Sequence, residues 1–284
     1  MKTERFLAAC RAFAIPPADA ELVAETAVGH VWRVPYAGGA AALKVVRAGA
    51  GASEAPAARM YRYWAGVGAV RLLGEGEGAL LLEWLEGPPL GDRARGGDLM
   101  GSDAALVALA PRLHAACGPD PGALPSLEAW CADLFTLDPA RPPEEARRWF
   151  DAARALASHL LETAPRSVPL HGDLHHDNVI VTAKGLVAFD PKGISGDPAY
   201  ELANAFRNPK GIGAGLGDAK RVAAFAEAGA AALGVPVARV IGWAAVKSAL
   251  SLAWSMSGRI SHTPAAPEMA LLATLGRTAE RHFG

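Results

Sequence analysis

The sequence predicts an α+β fold of two lobes, a small β-rich lobe followed by a larger, mainly helical one. Three observations predict it. Short runs rich in β-branched and aromatic residues alternate with glycine turns through the first third of the chain. The string EGPPLGDRARGG at 86–97 then breaks all periodicity. Beyond it, apolar residues recur at helical spacing almost to the end. The lobes are drawn as 1–85 and 98–284, with 86–97 as a hinge or linker. A chain of 284 residues is long enough to bury such a two-part core.

Taken in order, HVWRVPY (30–36) and AALKVV (41–46) read as a hairpin around Gly38-Gly39. SEAPAARMYRYWA (53–65) reads as a helix with Ser53 as its cap and Pro56 in its first turn. AVRLL (69–73) and GALLLEWL (78–85) read as two strands around the turn GEGEG (74–78). In the second lobe, LMGSDAALVALAPRLHAA (99–116) and PEEARRWFDAARALASHLLE (143–162) carry helical periodicity. VIV (179–181), KG (184–185) and LVAFD (186–190) form a β-hairpin inside a segment spanning 168–192, and helices are expected to fill most of 198–283. Trp243 and Trp254 stand eleven residues apart, close to three helical turns, and so share a core-facing side.

Composition excludes several classes of function. The 28 basic and 29 acidic residues nearly cancel, so neither a nucleic acid nor an anionic membrane is an expected partner. Cys10, Cys117 and Cys131 are an odd, widely spaced set, which argues against a disulfide framework or a structural zinc site. The start, MKTERFLAACRAFAIPP, carries Glu4 and Arg11 and makes a poor signal peptide. IGWAAVKSALSLAWSM contains Lys247 and is too short to span a bilayer comfortably, so it reads as a buried helix. A cytoplasmic enzyme or binding protein is expected, and nothing in the pattern specifies an oligomeric state.

The chemistry concentrates in PLHGDLHHDNVIV, 169–181. His171, Asp173, His175, His176 and Asp177 all have metal-binding side chains, but adjacent residues in a loop lack the spacing of a zinc site. An isolated HGD would be a polar turn before a strand, with His171 packed and hydrogen-bonded. Here Asp173 is followed five positions later by Asn178, and Asn178 twelve positions later by Asp190. That is the spacing of a kinase catalytic loop and its metal-binding aspartate. The reaction requires it: one carboxylate at the acceptor hydroxyl, and an amide and a second carboxylate converging on the magnesium that bridges the nucleotide phosphates. Upstream, Lys44 lies on a strand and Glu54 begins the next helix, in the order of a phosphate lysine and its ion-pair partner. Glu54 also has a plain helix-dipole reading. No GxGxxG precedes Lys44; Gly29, with Thr26 and His30 nearby, is all that could shape a phosphate loop. An A-P-E segment is absent, and Pro191 and Lys192 replace the Phe-Gly of D-F-G, so an ordinary protein kinase is disfavoured.

HGDLHHDNVIV followed by LVAFDPKGISGDPAYELANAF resembles the aminoglycoside phosphotransferase superfamily. More narrowly it resembles the aminoglycoside/hydroxyurea antibiotic resistance kinases, which include streptomycin 6-kinases. The resemblance runs from about Val28 to about Pro209. It implies a protein-kinase-like bilobal fold and ATP-dependent transfer, with Mg2+, of a phosphoryl group to a hydroxyl of a small, aminoglycoside-like acceptor. It implies Asp173 as catalytic base, Asn178 and Asp190 as magnesium ligands, Lys44 and its partner Glu54 at the phosphates, and the adenine against Glu83, Trp84 and Leu85. HGDxxxxN is shared with choline, homoserine, fructosamine and methylthioribose kinases, so it specifies the reaction better than the acceptor. A kinase of an endogenous metabolite is the competing reading. A catalytically silent nucleotide-binding regulator is a third, against which the intact Asp173, Asn178 and Asp190 argue.

Several charged residues carry two readings each. His175 stands where protein kinases commonly place a lysine, and it is only partly protonated near neutrality if its pKa is ordinary. Lys192 either supplies the missing cation to the phosphates or the base, or pairs with an acid such as Asp197 and orders the loop. Asp197, before Pro198, either caps a helical run or faces the acceptor. Glu201 faces cleft or solvent, and His114 and His159 are surface or packed histidines. A cationic acceptor such as streptomycin calls for an acidic pocket, for which Asp92, Glu128, Asp133 and Asp138 are the available acids.

Overall fold

The computed structural model describes residues 3–26, 28–47, 51–76, 78–116, 118–260 and 266–283, with backbone only for 51–54. The chain opens with α1 (Glu4–Ala12), capped by the Thr3 hydroxyl accepting from the Phe6 N–H. Phe6, Ala9 and Cys10 of α1 pack on a five-stranded antiparallel sheet, with the Phe6 ring 4.3 Å from that of Trp32. The strands are β1 (Glu21–Glu25), β2 (Gly29–Tyr36), β3 (Gly39–Val46), β4 (Leu72–Gly76) and β5 (Ala79–Glu83), in the spatial order β1-β2-β3-β5-β4. α2 (Gly51–Trp64) follows β3 and buries Met60, Tyr61 and Trp64.

The expected β2–β3 hairpin is present, but Ala37 and Gly38 form its turn, both at positive φ, and Gly39 already pairs with Tyr36. A two-residue turn with both residues left-handed matches strand twist. Pro56 lies inside α2 rather than in a first turn begun at Ser53, because the helix starts at Gly51. β4 is displaced from the expected 69–73. Ala69 and Val70 instead lie along Ala188 in the second lobe, where the Val70 N–H donates to the Ala188 carbonyl at 2.9 Å. α1 and β1 were not foreseen; β1 is exposed at every position and carries no inward pattern to read.

The second part is built on helices. The aperiodic stretch 86–97 contains α3 (Leu90–Arg95), which packs on α4 (Leu99–His114). α5 (Leu127–Thr136) and α6 (Glu144–Glu162) follow. β6 (Val168–Leu170) pairs with β9 (Ile194–Gly196), and between them β7 (Val179–Thr182) and β8 (Gly185–Ala188) form the anticipated hairpin. From Pro198 to Gly217 the chain runs as three short 3-10 turns where helix was expected. α7 (Ala219–Leu233), α8 (Val237–Met256) and α9 (Ala266–Phe283) complete the lobe.

α8 is the axis of this lobe, buried without a break from Arg239 to Trp254. Trp243 and Trp254 do share a side: the first meets Tyr200 edge-on at 5.4 Å and the second meets Trp130 edge-on at 5.3 Å. Among the described residues no single helix is long and apolar enough to cross a membrane. Cys10 and Cys131 are buried free thiols; Cys117 lies outside the described residues.

Candidate active site

The site forms where β6, the β7–β8 hairpin and the floor of the sheet meet. At the end of β6 the fully buried His171 fastens the loop. Its Nδ1 accepts from the Asp173 N–H at 3.3 Å and its Nε2 lies 3.0 Å from the Phe189 carbonyl. Its ring stacks on Trp64. Burial holds the imidazole pKa below its ordinary value, so the neutral tautomer carries its proton on Nε2 and donates to Phe189. One ring thereby sets the distance between the segments bearing Asp173 and Asp190.

His176, next in the loop, pairs with Asp103 of α4 at 3.0 Å, and Asp103 takes two hydrogen bonds from Arg221 of α7. These three buried groups tie the loop to the helical core, as paired buried charges must if they are to be tolerated. Among the described residues no group of three or more His, Cys, Asp or Glu side chains could hold a metal by itself.

Asp173, Asn178 and Asp190 converge. The Asn178 Nδ2 donates to the Asp173 carbonyl at 3.0 Å, closing the loop on itself. Asp190 sits at φ +58, a left-handed conformation unusual for aspartate and typical of strained functional positions. Its N–H donates to the Tyr61 hydroxyl at 2.9 Å. Its carboxylate lies between two cations, Lys44 on Oδ1 at 2.6 Å and Lys192 on Oδ2 at 3.1 Å. Burial pushes its pKa up, but Lys192 and Lys44 outweigh it and hold the group well below the usual carboxylate range.

Lys192 also stands 3.8 Å from Asp173 Oδ2. It does not pair with Asp197, the partner named for its structural reading. Asp197 is occupied in the core: it accepts from the Ala199 N–H at 2.9 Å, from the Trp243 Nε1 at 2.8 Å and from Arg239. It caps a turn and does not face the cleft. Burial drives His175 down to about 4, so it is neutral near neutral pH rather than partly charged; its Nδ1 accepts from the Asp177 N–H.

The other sequence-derived positions sort as follows. Lys44 reaches Asp190 from β3; the Glu54 side chain lies outside the described residues. Gly29 does not line the cleft, whereas Thr26 does. A Cβ on Gly29 would come within 2.3 Å of the Val45 carbonyl oxygen, so glycine is needed there for strand packing. The Thr26 hydroxyl closes that tight β1–β2 turn by accepting from the Gly29 N–H at 3.0 Å. Glu83, Trp84 and Leu85 border a cleft of about 520 Å³, with apolar walls from Val31, Ala42, Leu82 and Phe189, and Lys44, Asn178 and Asp190 at one end. That size and lining suit a nucleotide base.

Glu201 faces neither cleft nor solvent. It lies behind the loop, its Oε2 accepting from the His171 N–H at 3.1 Å and pairing with His114 at 2.9 Å. His159 packs edge-on against Phe283. Of the candidate acids, Asp92 pairs with Arg95, Asp138 caps its own turn, Glu128 is exposed, and Asp133 is held by Trp254 and Arg259.

Two residues at the site were not anticipated. Asn204 donates to Asp173 Oδ1, and it closes the run DPAYELAN, whose polar end was the available signal. Lys247 on α8 is the strongest cationic influence on Asp173, ahead of Lys192. Burial pushes Asp173 up, and the charges of Lys247 and Lys192 lead those that hold it below the ordinary value. The signal for Lys247 was a lone charge in an otherwise apolar helix, a feature that had served only as an argument against a membrane span.

The matched segment is 37% identical over 185 residues to the streptomycin 3''-kinase of Klebsiella pneumoniae, covering 63% of this chain and 65% of that one. It is 32% identical over 170 residues to the streptomycin 6-kinase of Streptomyces griseus, covering 57% and 53%. The chain thus spans under two thirds of the length of these relatives. Solved structures share the fold over nearly the whole chain. An amicoumacin kinase in complex with AMP-PNP, Ca2+ and Ami superposes with a TM-score of 0.66 at 16% identity, covering 99% of this chain and 94% of that one. A thermostable mutant of aminoglycoside phosphotransferase APH(4)-Ia in ternary complex with ADP and hygromycin B does so with a TM-score of 0.65 at 18% identity, covering 98% and 99%. The model of the aminoglycoside/hydroxyurea antibiotic resistance kinases matches residues 18–258, and with that match over most of its length the chain belongs to this family.

Proposed function

We propose that this chain transfers the γ-phosphoryl group of ATP to a hydroxyl of an aminoglycoside-like antibiotic, with streptomycin as the first candidate, and so confers resistance in the cytoplasm. The observation that carries this reading is the convergence of Asp173, Asn178 and Asp190 with Lys44 and Lys192 at the end of an apolar cleft.

Asp173 is the base. Asn204 occupies its Oδ1, which leaves Oδ2 to take the proton from the attacking hydroxyl. The lowered pKa keeps this carboxylate ionised at neutral pH, so that it can accept a hydrogen bond from the hydroxyl. Lys44 and Lys192 stand where the phosphates enter and stabilise charge that spreads over the transferring group. Glu83, Trp84 and Leu85 read the base edge through their backbone.

The donors present fit magnesium. Asp190 offers a carboxylate and Asn178 an amide oxygen, both hard oxygen ligands, and the shortage of further protein ligands suits an ion that completes its shell with phosphates and water. When bound there, held by Asp190 and Asn178, the ion would supply positive charge to the phosphates.

An ATP-consumption screen tests the reading, run over streptomycin, other aminoglycosides, hydroxyurea and common metabolite alcohols, with the phosphorylated position mapped on the product. Transfer to an aminoglycoside hydroxyl is expected. Exclusive transfer to a metabolite would replace the acceptor, and ATP binding without transfer to any acceptor would overturn the enzyme reading.

A further inference from the structure

Two segments meet at the hydrogen bond from Asn204 to Asp173, and one guanidinium holds both of them from behind. Arg221, near the start of α7, is 3% exposed and donates all five of its N–H groups within the protein. Its Nε and Nη2 form a fork on the two oxygens of Asp103, at 2.8 and 2.9 Å. Its remaining N–H groups donate to the carbonyls of Ala205 at 3.2 Å, Phe206 at 3.1 Å and Leu216 at 3.0 Å. The guanidinium also lies 5.6 Å from the centre of the Phe225 ring, which packs on that of Phe206 at 4.7 Å.

The Asp103 fork leads to the catalytic loop. Asp103 Oδ1 also meets His176 Nε2 at 3.0 Å, and His176 Nδ1 is buried with no hydrogen-bond partner among the described residues. Asp103 is therefore what orients that ring. Asp173 thus stands between two fastened histidines, His171 on Phe189 and Glu201, and His176 on Asp103.

The carbonyl side of Arg221 leads to the turn that carries Asn204. Asn204 Oδ1 is likewise buried without a partner among the described residues, so the side chain is directed only through its bond to Asp173. What aims Asn204 is the backbone of its turn. Arg221 holds the two carbonyls that follow it, Ala205 and Phe206.

Buried ion pairs contribute little net stability compared with well-packed apolar groups. What apolar packing does not supply is direction. A planar guanidinium with five donors in a rigid fork fixes the angles and separations of its acceptors. Direction matters here, because displacing a reacting group by about 1 Å can cost about 10²-fold in rate.

We propose that Arg221, acting through Asp103 and His176 on one side and the 203–207 turn on the other, is a positioning residue for the base: it sets the loop of Asp173 and the turn of Asn204 at the separation and angle their hydrogen bond requires. None of Arg221, Asp103 and His176 lines the nucleotide cleft, so the effect on the reaction is indirect. The role of Asp173 as base rests on the phosphotransfer reading above. The coupling of Arg221 to the bond between Asn204 and Asp173 is a separate, structural claim.

Arg221→Lys tests it, since lysine keeps a positive charge beside Asp103 and loses the fork. With streptomycin as acceptor, kcat of the folded protein should fall by about three- to tenfold, with both KM values within about twofold of wild type. In an Asn204→Ala background the same substitution should change kcat by less than about twofold, because the bond it acts through is already gone. The second readout needs no turnover: hydrogen exchange of the Asn204 side-chain amide, identified in NMR spectra by its loss in Asn204→Ala. That exchange should be about tenfold faster or more in Arg221→Lys. Equal losses of kcat in the two backgrounds, or unchanged amide exchange in folded Arg221→Lys, overturns the proposal. So does a lowered melting temperature with kcat of the folded fraction unaltered, which would leave Arg221 a packing residue. If Arg221→Lys does not fold, Asp103→Asn carries the same comparisons, since it keeps the volume and removes the acid that joins Arg221 to His176. Absence of transfer by the wild type to every acceptor in the screen would fell the phosphotransfer reading; the amide exchange would still decide the coupling.

Discussion

Asn204 Nδ2 donates to Asp173 Oδ1 across 2.7 Å, from a 3-10 turn thirty-one residues further along the chain. Asn204 itself is held in place: its backbone carbonyl accepts from the Asn208 Nδ2 at 2.8 Å. The hydrogen bond distinguishes the two carboxylate oxygens, anchoring Oδ1 and leaving Oδ2 outside it.

Replacing Asp173 by Asn keeps the shape and removes the base. Turnover should fall by about 10²–10⁴-fold while ATP affinity stays nearly unchanged. Steady-state kinetics with a nucleotide-binding titration checks this, and a near wild-type kcat would contradict the assignment of the base.

Asn204→Ala leaves the base present but unanchored. The expected result is a kcat lower by about tenfold, since misorientation of a catalytic group costs rate, with both KM values little changed. Asn204→Ser, which can still reach a donor toward the carboxylate, should recover part of the rate. A loss of folded protein with unaltered kcat would make Asn204 a packing residue only.

Asp190→Ala and Asn178→Ala each remove an oxygen donor from a site with few. Both should shift the magnesium dependence of activity to higher concentration. A magnesium titration at saturating ATP reads this directly, and an unchanged dependence in both variants would count against their role as ligands.

Lys192→Met removes the cation shared by Asp173 and Asp190. A contact to the transferring phosphoryl group predicts a fall in kcat of about 10²-fold or more, with thermal stability roughly kept because the pair is partly solvated. If the melting temperature falls while kcat of the folded fraction holds, the lysine orders the loop and nothing more.

Lys247 links the site to stability and pH. Burial lowers its pKa to about 8 from the ordinary 10.5. The unfolded chain therefore holds this proton up to higher pH than the folded one does. The cost of the buried charge is fully present below about pH 8 and is relieved as pH rises from about 8 to about 10.5. Lys247→Met should accordingly raise the melting temperature at pH 7, by an amount equivalent to on the order of a few kcal/mol at most, and the gain should shrink toward pH 10. Thermal melts of both proteins across that range test it; a destabilised variant at pH 7 would show that the ammonium is satisfied in the folded state.

The family was legible because the residues that carry the resemblance are close in sequence. Asp173, Asn178 and Asp190 belong to one loop and hairpin, whose covalent spacing nearly dictates their convergence, and Lys44 is marked by a strand like V-A-I-K ahead of that loop. The long helices were legible for the same reason, since an amphipathic repeat is a local signal. What the tertiary structure alone decided depends on residues far apart along the chain. Gly29 packs against the backbone of β3 too closely to admit a Cβ. The strand expected at 69–73 gave its first residues to Ala188, because a pairing partner outside the sheet was available. Asp197 and Glu201 turned inward to Arg239 and His114, since a buried acid goes to a partner that periodicity does not reveal. Asn204 bonds Asp173 from 31 residues away, and the charge of Lys247 acts on it from 74, relationships that exist only once α8 and the 3-10 turns have packed. The local pattern thus determined which polar residues gather in one loop and hairpin, and the packing of distant segments determined which oxygen of Asp173 is anchored.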